Sequence, residues 1–394
     1  MPCAARTMVI ALYSRDHPGE AIRSAMTSSP GPPAGAPPPF QLPAHIQRGD
    51  MAPWWNHGRH KFLFDSLSGR YIVLAFYRTA SDTVGEQALR GLQQLHRFVD
   101  ADKAVFLGVS LDPTDHTARG VQGSFPAVRF ILDDGATMHR AYGIGAGRMW
   151  IILDPMLRVV ETIPIRPDGT GMAELAALLE SLPPPATFLG FEVSAPVLVL
   201  PHVFEPAFCR HLIDCHERDG GRESGFMQEV AGKAVEQYDP AWKRRRDVMV
   251  TDEALIEQIK ARFARRVGLM LRRAFQFQLT RMERYLVACY AAEDGGHFGP
   301  HRDDTVRAGE HRRFATSINL NDDFDGGELD FPEFGQRRFK APVGAAVVFS
   351  VSLLHRAGKV TRGRRYAFLP FLHDEEAEKQ RVANLRFLAR PPTS

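Results

Sequence analysis

The feature that most constrains this chain is a break. The segment PPPATFLGFEVSAP, Pro183–Pro196, is bracketed by proline and divides the chain into two halves of different periodicity. Proline fixes φ and lacks a backbone donor, so neither a helix nor a central strand runs through such a stretch. Before it, apolar runs of strand length alternate with helical segments. Behind it, two helices are followed by short strands one after another. A length of 394 residues fits two domains with tails, and an apolar content of 44% supplies material for two cores.

Residues 1–44 include SSPGPPAGAPPPFQLP, which has little to bury, and a disordered proline-rich leader is expected. A polyproline segment for a partner is the other reading. Over residues 45–182, YIVLAFY (Tyr71–Tyr77), AVFLGVSL (Ala104–Leu111), FPAVRFILDD, MWIILDP (Met149–Pro155) and VVETIPI (Val159–Ile165) read as strands. Helical segments are expected at 84–99, 137–142 and 172–182. Strands separated by helices imply an α/β layer structure around a central sheet.

Residues 197–374 read differently. EPAFCRHLIDCHERDG is a helix, with Pro206 in its first turn and Gly220 as its stop. A second helix spans 252–275, with Leu255, Ile259, Phe263, Val267, Met270 and Ala274 as its core-facing stripe. MERYLVACY, RFATSINLN, GELDFPE, RRFKAP, AAVVFSVSL and YAFLPFL follow as strands, which points to an antiparallel double-sheet jelly roll. Residues 375–394 form a helical tail.

Charge and cysteine usage narrow the function. Forty-nine basic against 46 acidic residues leave a net charge of +3, which gives no argument for nucleic acid or an acidic membrane. The basic run Lys243–Arg246 has no interleaved aromatics and is expected to be a solvated patch. None of the four cysteines forms a CxxC pair, and no apolar run approaches the ~20 residues that span a bilayer. A cytoplasmic protein is expected, with no membrane or nucleic-acid partner. Cys209, His211, Cys215 and His216 could suggest zinc, but helical spacing spreads them around the cylinder.

The chemistry concentrates between Tyr290 and Phe371. His301 and Asp303 sit two apart, so on an extended strand both side chains leave one face. His355 follows fifty-two residues after Asp303, and Arg365 ten beyond that. Two histidines and a carboxylate can cap one face of an Fe(II) ion and leave its other positions open. An arginine nearby can hold a carboxylate through a bidentate fork. In GGELDFPE, Gly326 and Gly327 read as a tight turn beside the site or as a plain hairpin.

With YAAEDGGHFGPHRDD, INLNDDFDGGELDFPE and APVGAAVVFSVSLLHRAGKVTRGRRYAF in view, residues 197–372 resemble the 2-oxoglutarate/Fe(II) dioxygenases of the prolyl 4-hydroxylase-like branch. The resemblance implies Fe(II) on His301, Asp303 and His355, and 2-oxoglutarate with its distal carboxylate on Arg365 and Tyr290. It also implies O2 as oxidant, ascorbate as a reductant, and hydroxylation of a peptide, protein side chain or small molecule. Many relatives place a serine two residues after the arginine. Here that position is Ala367, so the seat is expected to lean on Tyr290 or Thr361.

AFYRTASDTVGEQ, SFPAVRFILDDGATMHRAYGI and RMWIILDP resemble the thioredoxin-fold peroxiredoxins. That family uses a cysteine thiolate at a helix start beside an arginine. Here the cysteine's place falls at Gly85 and the arginine corresponds to Arg148. A redox-inactive front domain is expected, serving as scaffold, homodimer surface or ligand-binding relic. A non-catalytic sensor for iron or 2-oxoglutarate is the competing reading of the whole chain, and a thiol peroxidase the third.

Overall fold

The computed structural model describes residues 45–388 apart from 54–55, 58–61, 96, 101, 118–126, 134, 146 and 231. The leader expected over 1–44 and the tail's last residues, 389–394, lie outside the described residues.

The front half is built on a five-stranded sheet in the order Val128–Leu132, Ala104–Ser110, Tyr71–Tyr77, Met149–Leu153, Val159–Pro164. The first three strands run parallel, and the last two join antiparallel. Parallel neighbours need a crossover, and helix Thr83–Leu95 provides the one between the strands at 71 and 104. Both of those strands are buried at every position, which is why they read as continuous apolar runs. Val73, Ala75 and Tyr77 face one layer with Val84, Ala88 and Leu175, whereas Ile72, Leu74 and Phe76 face Phe64, Met138 and Tyr142. This is the thioredoxin-like α/β layer that the sequence predicts.

The second half is β-rich, with a nine-stranded and a five-stranded sheet. The period of two along each strand divides the residues between two cores. Val287, Cys289 and Ala291 pack with Phe208, Leu212, Ile259 and Phe263 of the two helices on the outer face of the large sheet. Ala288 and Tyr290 turn the other way, towards Ala357 and Val360. Helices therefore back the large sheet, and the small sheet covers its inner face.

Several boundaries differ from expectation. The second helix contains a π turn at Ala264–Gly268. The wider turn carries the buried stripe from Val267 to Leu271, leaving Met270 only half-buried and Ala274 exposed. MERYLVACY is two strands, Arg281–Glu283 and Leu286–Ala291, because Arg284 between them has φ 60°. The proline segment 183–196 is not wholly free of the domains: Pro185 is buried and Ala195 joins a core cluster of the second half. In the tail, helix Glu375–Asn384 starts at Asp374, whose side chain accepts from the Ala377 amide. No helix among the described residues is long and apolar enough to cross a membrane.

Candidate metal centre

The small sheet brings the metal-binding candidates together. Strand His297–His301 pairs antiparallel with His355–Ala357, and His301 and His355 are direct partners in the register. The two histidines thus come from neighbouring strands of one sheet. Asp303 lies just past the end of its strand, held by its amide donating to the Val351 carbonyl at 3.0 Å. Its Oδ1 is 3.6 Å from His301 Nε2 and its Oδ2 is 3.4 Å from His355 Nε2.

The donor set fits a metal ion. One ligand atom from each of the three residues lies within 4.8 Å of the others, and bonds of ~2.1 Å to a shared ion would draw adjacent donors to about 3 Å apart. The Nδ1 atoms of His301 and His355 lie 2.8 and 2.9 Å from the carbonyls of Gly299 and Leu353. A proton on each Nδ1 makes that hydrogen bond and leaves the Nε2 lone pair facing Asp303. Burial, then the neighbouring His355 ring, push the His301 pKa well below its usual range, so the ring is held neutral. Phe298 stacks on His301 at 3.6 Å between centroids, and Phe349 packs edge-on to His355 at 4.7 Å. Both rings are thereby fixed by packing as well as by hydrogen bonds. Among the described residues no other cluster of histidine, cysteine and carboxylate has metal spacing, and Cys209 and His216 are buried in ordinary packing.

Arg365 and Tyr290 belong to the large sheet and are direct register partners. Arg365 is 3% exposed. Its Nε donates to Asn319 Oδ1 at 3.0 Å and its Nη2 to Ser317 Oγ at 2.8 Å, and its guanidinium lies 5.3 Å from the Tyr290 ring centre. The hydroxyl beside Arg365 is therefore that of Ser317, from the neighbouring strand. Thr361 is exposed, in the strand Val360–Arg362, and takes no part. Gly327 makes room for the arginine: it has φ 69°, and a Cβ there would lie 3.0 Å from Arg365 Cδ. The glycine pair of GGELDFPE thus sits beside Arg365, and no hairpin joins the strands that flank it: Asp325–Gly326 pairs with Val360–Arg362, whereas Leu329–Asp330 pairs with His355–Ala357 and Arg338–Phe339.

Metal candidates and arginine line one cavity of about 790 Å³, a size suited to small organic ligands. Its wall also contains residues that the sequence reading assigned to a solvated patch. Lys243 and Arg245 are 5% and 7% exposed, while Arg244 and Arg246 face solvent. The run lies in extended chain, so alternate residues turn inward. Arg245 makes a bidentate pair with Asp247, at 2.6 Å for each bond, and its Nη1 donates to the Tyr290 hydroxyl at 3.3 Å. Lys243 donates to Ser224 Oγ at 2.8 Å and stands 4.7 Å from the Phe298 ring centre. Burial, then the charge of Arg245, lower the Lys243 pKa to about 6. One sequence signal could have found this wall: Arg245-x-Asp247 places opposite charges on one face of a strand.

In the front domain, Gly85 stands in closely packed surroundings and Arg148 is hydrogen-bonded. Gly85 is buried at the start of helix Thr83–Leu95, and a Cβ there would lie 1.9 Å from the Thr79 carbonyl oxygen. Asp82 caps that helix, accepting from the Gly85 amide at 2.8 Å, and Arg148 Nη2 donates to its other oxygen at 2.8 Å. The arginine's partner is a carboxylate.

Comparison with known proteins agrees with this geometry. Residues 285–373 match the 2OG-Fe(II) oxygenase superfamily and residues 37–163 match the AhpC/TSA family. A PKHD-type hydroxylase of Synechococcus sp. (strain JA-2-3B'a(2-13)) is 38% identical over 89 residues, covering 21% of this chain and 39% of the relative. Another from Pseudomonas fluorescens (strain Pf0-1) is 40% identical over 91 residues, with the same coverage of 21% and 39%. The chain thus spans about 39% of the length of these curated relatives. Among solved structures, a prolyl hydroxylase of Trichoplax adhaerens in complex with a hypoxia inducible factor peptide fragment aligns with 15% identity and a TM-score of 0.35, covering 54% of this chain and 96% of that one. A Pseudomonas putida prolyl-4-hydroxylase aligns with 16% identity and a TM-score of 0.34, covering 46% and 94%. The chain carries an AhpC/TSA domain of thioredoxin-like α/β architecture, followed by a 2OG-Fe(II) oxygenase domain related to PKHD-type hydroxylases.

Proposed function

We propose that the protein is an Fe(II)- and 2-oxoglutarate-dependent hydroxylase acting on a peptide, a protein side chain or a small molecule. The observation that carries this reading is the shared cavity. It holds a three-residue donor set at metal spacing and a buried arginine whose bonded partners are all neutral.

His301, Asp303 and His355 would hold the iron, with Asp303 contributing the one negative charge. Bound there, Fe(II) with O2 supplies the oxidising power that inserts one oxygen atom into a substrate C–H bond, while 2-oxoglutarate is converted to succinate and CO2. The chain's own part is placement. Arg365 offers the co-substrate's distal carboxylate the donors that Ser317 and Asn319 leave unused. Tyr290 joins it; because Arg245 occupies a lone pair of the Tyr290 hydroxyl, the phenolic proton is free to be donated to that carboxylate. Phe298 and Phe349 keep water from the flanks of the histidines and hold their rings in place. Ascorbate is proposed as the reductant that keeps the iron ferrous.

The front domain is proposed to be redox-inactive, since the chain has no cysteine between Met51 and Leu200. A homodimer through that domain and a cytoplasmic location remain part of the proposal. Succinate release that depends on both Fe(II) and 2-oxoglutarate tests the activity. His301→Ala and His355→Ala are each expected to abolish iron binding and succinate formation. Iron-loaded protein that neither binds nor consumes 2-oxoglutarate refutes the assignment.

A further inference from the structure

We infer that the AhpC/TSA domain is a positioning element of the metal centre: its Asp65, acting through Arg302, holds together the two segments that carry the metal ligands. The inference rests on the assignment of His301, Asp303 and His355 as those ligands.

Arg302 stands between His301 and Asp303 in the chain. Its Nε donates to Asp65 Oδ2 at 2.8 Å, across the boundary between the domains. Its Nη2 and Nη1 donate to the two carboxylate oxygens of Glu333 at 2.6 and 3.1 Å, and Nη1 also donates to the Ser352 carbonyl. Glu333 closes the GGELDFPE segment, and its Oε2 also accepts from the amide of Leu354, the residue before His355, at 3.2 Å. Ser352 Oγ donates to Asp304, and the Asp303 amide to Val351. Residues 301–304 and 351–355 are therefore stitched to each other, and Arg302 is the side chain common to the largest number of stitches.

Among the described residues, the front domain supplies a stitch that comes from outside the second half's own sheets. Asp65 is 2% exposed, within the turn Phe64–Leu67. Phe64 and Leu67 belong to the core beneath the five-stranded sheet, so the carboxylate is fixed by the packing of its own domain. The chain then passes the barrel at close range: Gly69 has φ 84°, and a Cβ there would lie 2.8 Å from the Pro332 carbonyl oxygen, next to Glu333. Without Asp65, the Arg302 Nε would be a largely buried donor left with no partner, and the guanidinium would turn to find one. The turn would be felt at the neighbouring ligands, since groups that orient metal ligands typically change affinity 10–100-fold when removed. In this arrangement a domain with no thiol chemistry of its own sets how well the barrel holds its metal.

The test is direct metal titration of the full chain with Co(II), followed by its visible absorption, so no substrate is needed. Asp65→Ala, which removes the acceptor, is expected to weaken Co(II) binding about tenfold and to change the absorption band. Ile152→Val, in the opposite core layer of the front domain, is expected to leave the affinity unchanged. In an Arg302→Lys background, Asp65→Ala is expected to add little further loss. If Asp65→Ala fails to fold, Asp65→Glu, which keeps the charge but alters its reach, carries the same comparison. An Asp65 variant that binds Co(II) as tightly as wild type overturns the inference, and so does an Ile152→Val loss equal to that of Asp65→Ala. Failure of the metal assignment itself reads differently: wild type and His301→Ala would then bind Co(II) alike.

Discussion

Replacing Arg365 by lysine separates the proposed co-substrate seat from the proposed metal site. The guanidinium has five N–H donors, and it spends one on Asn319 and one on Ser317. The donors left on Nη1 and Nη2 can meet a carboxylate as a fork. Lysine keeps the positive charge but presents a single ammonium, so one charge-assisted hydrogen bond is lost, worth ~1.5–3 kcal/mol. At 1.4 kcal/mol per factor of ten, that weakens 2-oxoglutarate binding roughly 10- to 100-fold. The measurement is a 2-oxoglutarate titration of Fe(II)-loaded protein kept free of oxygen, read from the visible absorption of the chelate. Iron affinity is expected to stay at the wild-type value, because Arg365 is not in the donor set. An unchanged 2-oxoglutarate affinity refutes the seat. Loss of iron binding together with 2-oxoglutarate binding refutes it as well, since Arg365 would then be supporting the fold.

Two further outcomes follow from the geometry. Gly85→Cys adds a thiol where there is no room for one: with a Cβ 1.9 Å from the Thr79 carbonyl oxygen, thermal denaturation is expected to show a loss of at least ~1–3 kcal/mol, and peroxide consumption is expected to stay at the wild-type rate. Glu283 is pushed up by burial, but the hydrogen bond with His311 and the Arg312 charge outweigh this and bring it down to about 2. Its folded pKa lies below the unfolded one, so its contribution, about 3 kcal/mol at most, is complete above the unfolded value and is lost as pH falls towards 2. Acid titration of Glu283→Gln is therefore expected to show lower stability at neutral pH and a flatter decline between about pH 4.5 and 2.

Much of the layout was readable from residues alone. The apolar runs at Tyr71–Tyr77 and Ala104–Ser110 needed no partner to be recognised, because strands buried on both faces are apolar at every position. The spacing His301-x-Asp303, His355 and Arg365 was also legible, since local register fixes which side chains leave together. The π turn was not: its extra residue changes the stripe from Met270 to Leu271 without any change in composition. The inward turn of Lys243 and Arg245 is hidden within the run itself, because four consecutive cations carry no periodicity, and only Asp247, two residues beyond Arg245, hints at it.

The stretch from Tyr290 to Phe371 by itself determined the kinds of group in the site, their order and the strands that carry them. Only the tertiary structure decided their company. It paired His301 with His355 on adjacent strands, replaced the expected Thr361 by Ser317 as the hydroxyl beside Arg365, and placed Tyr290 between Arg365 and Arg245. It also brought Asp65 to Arg302 from 237 residues away in the chain. The physical reason is common to all of these. Local sequence dictates dihedrals and faces, whereas a contact between distant residues is set by which sheets and cores pack together, and no short window of sequence contains that information.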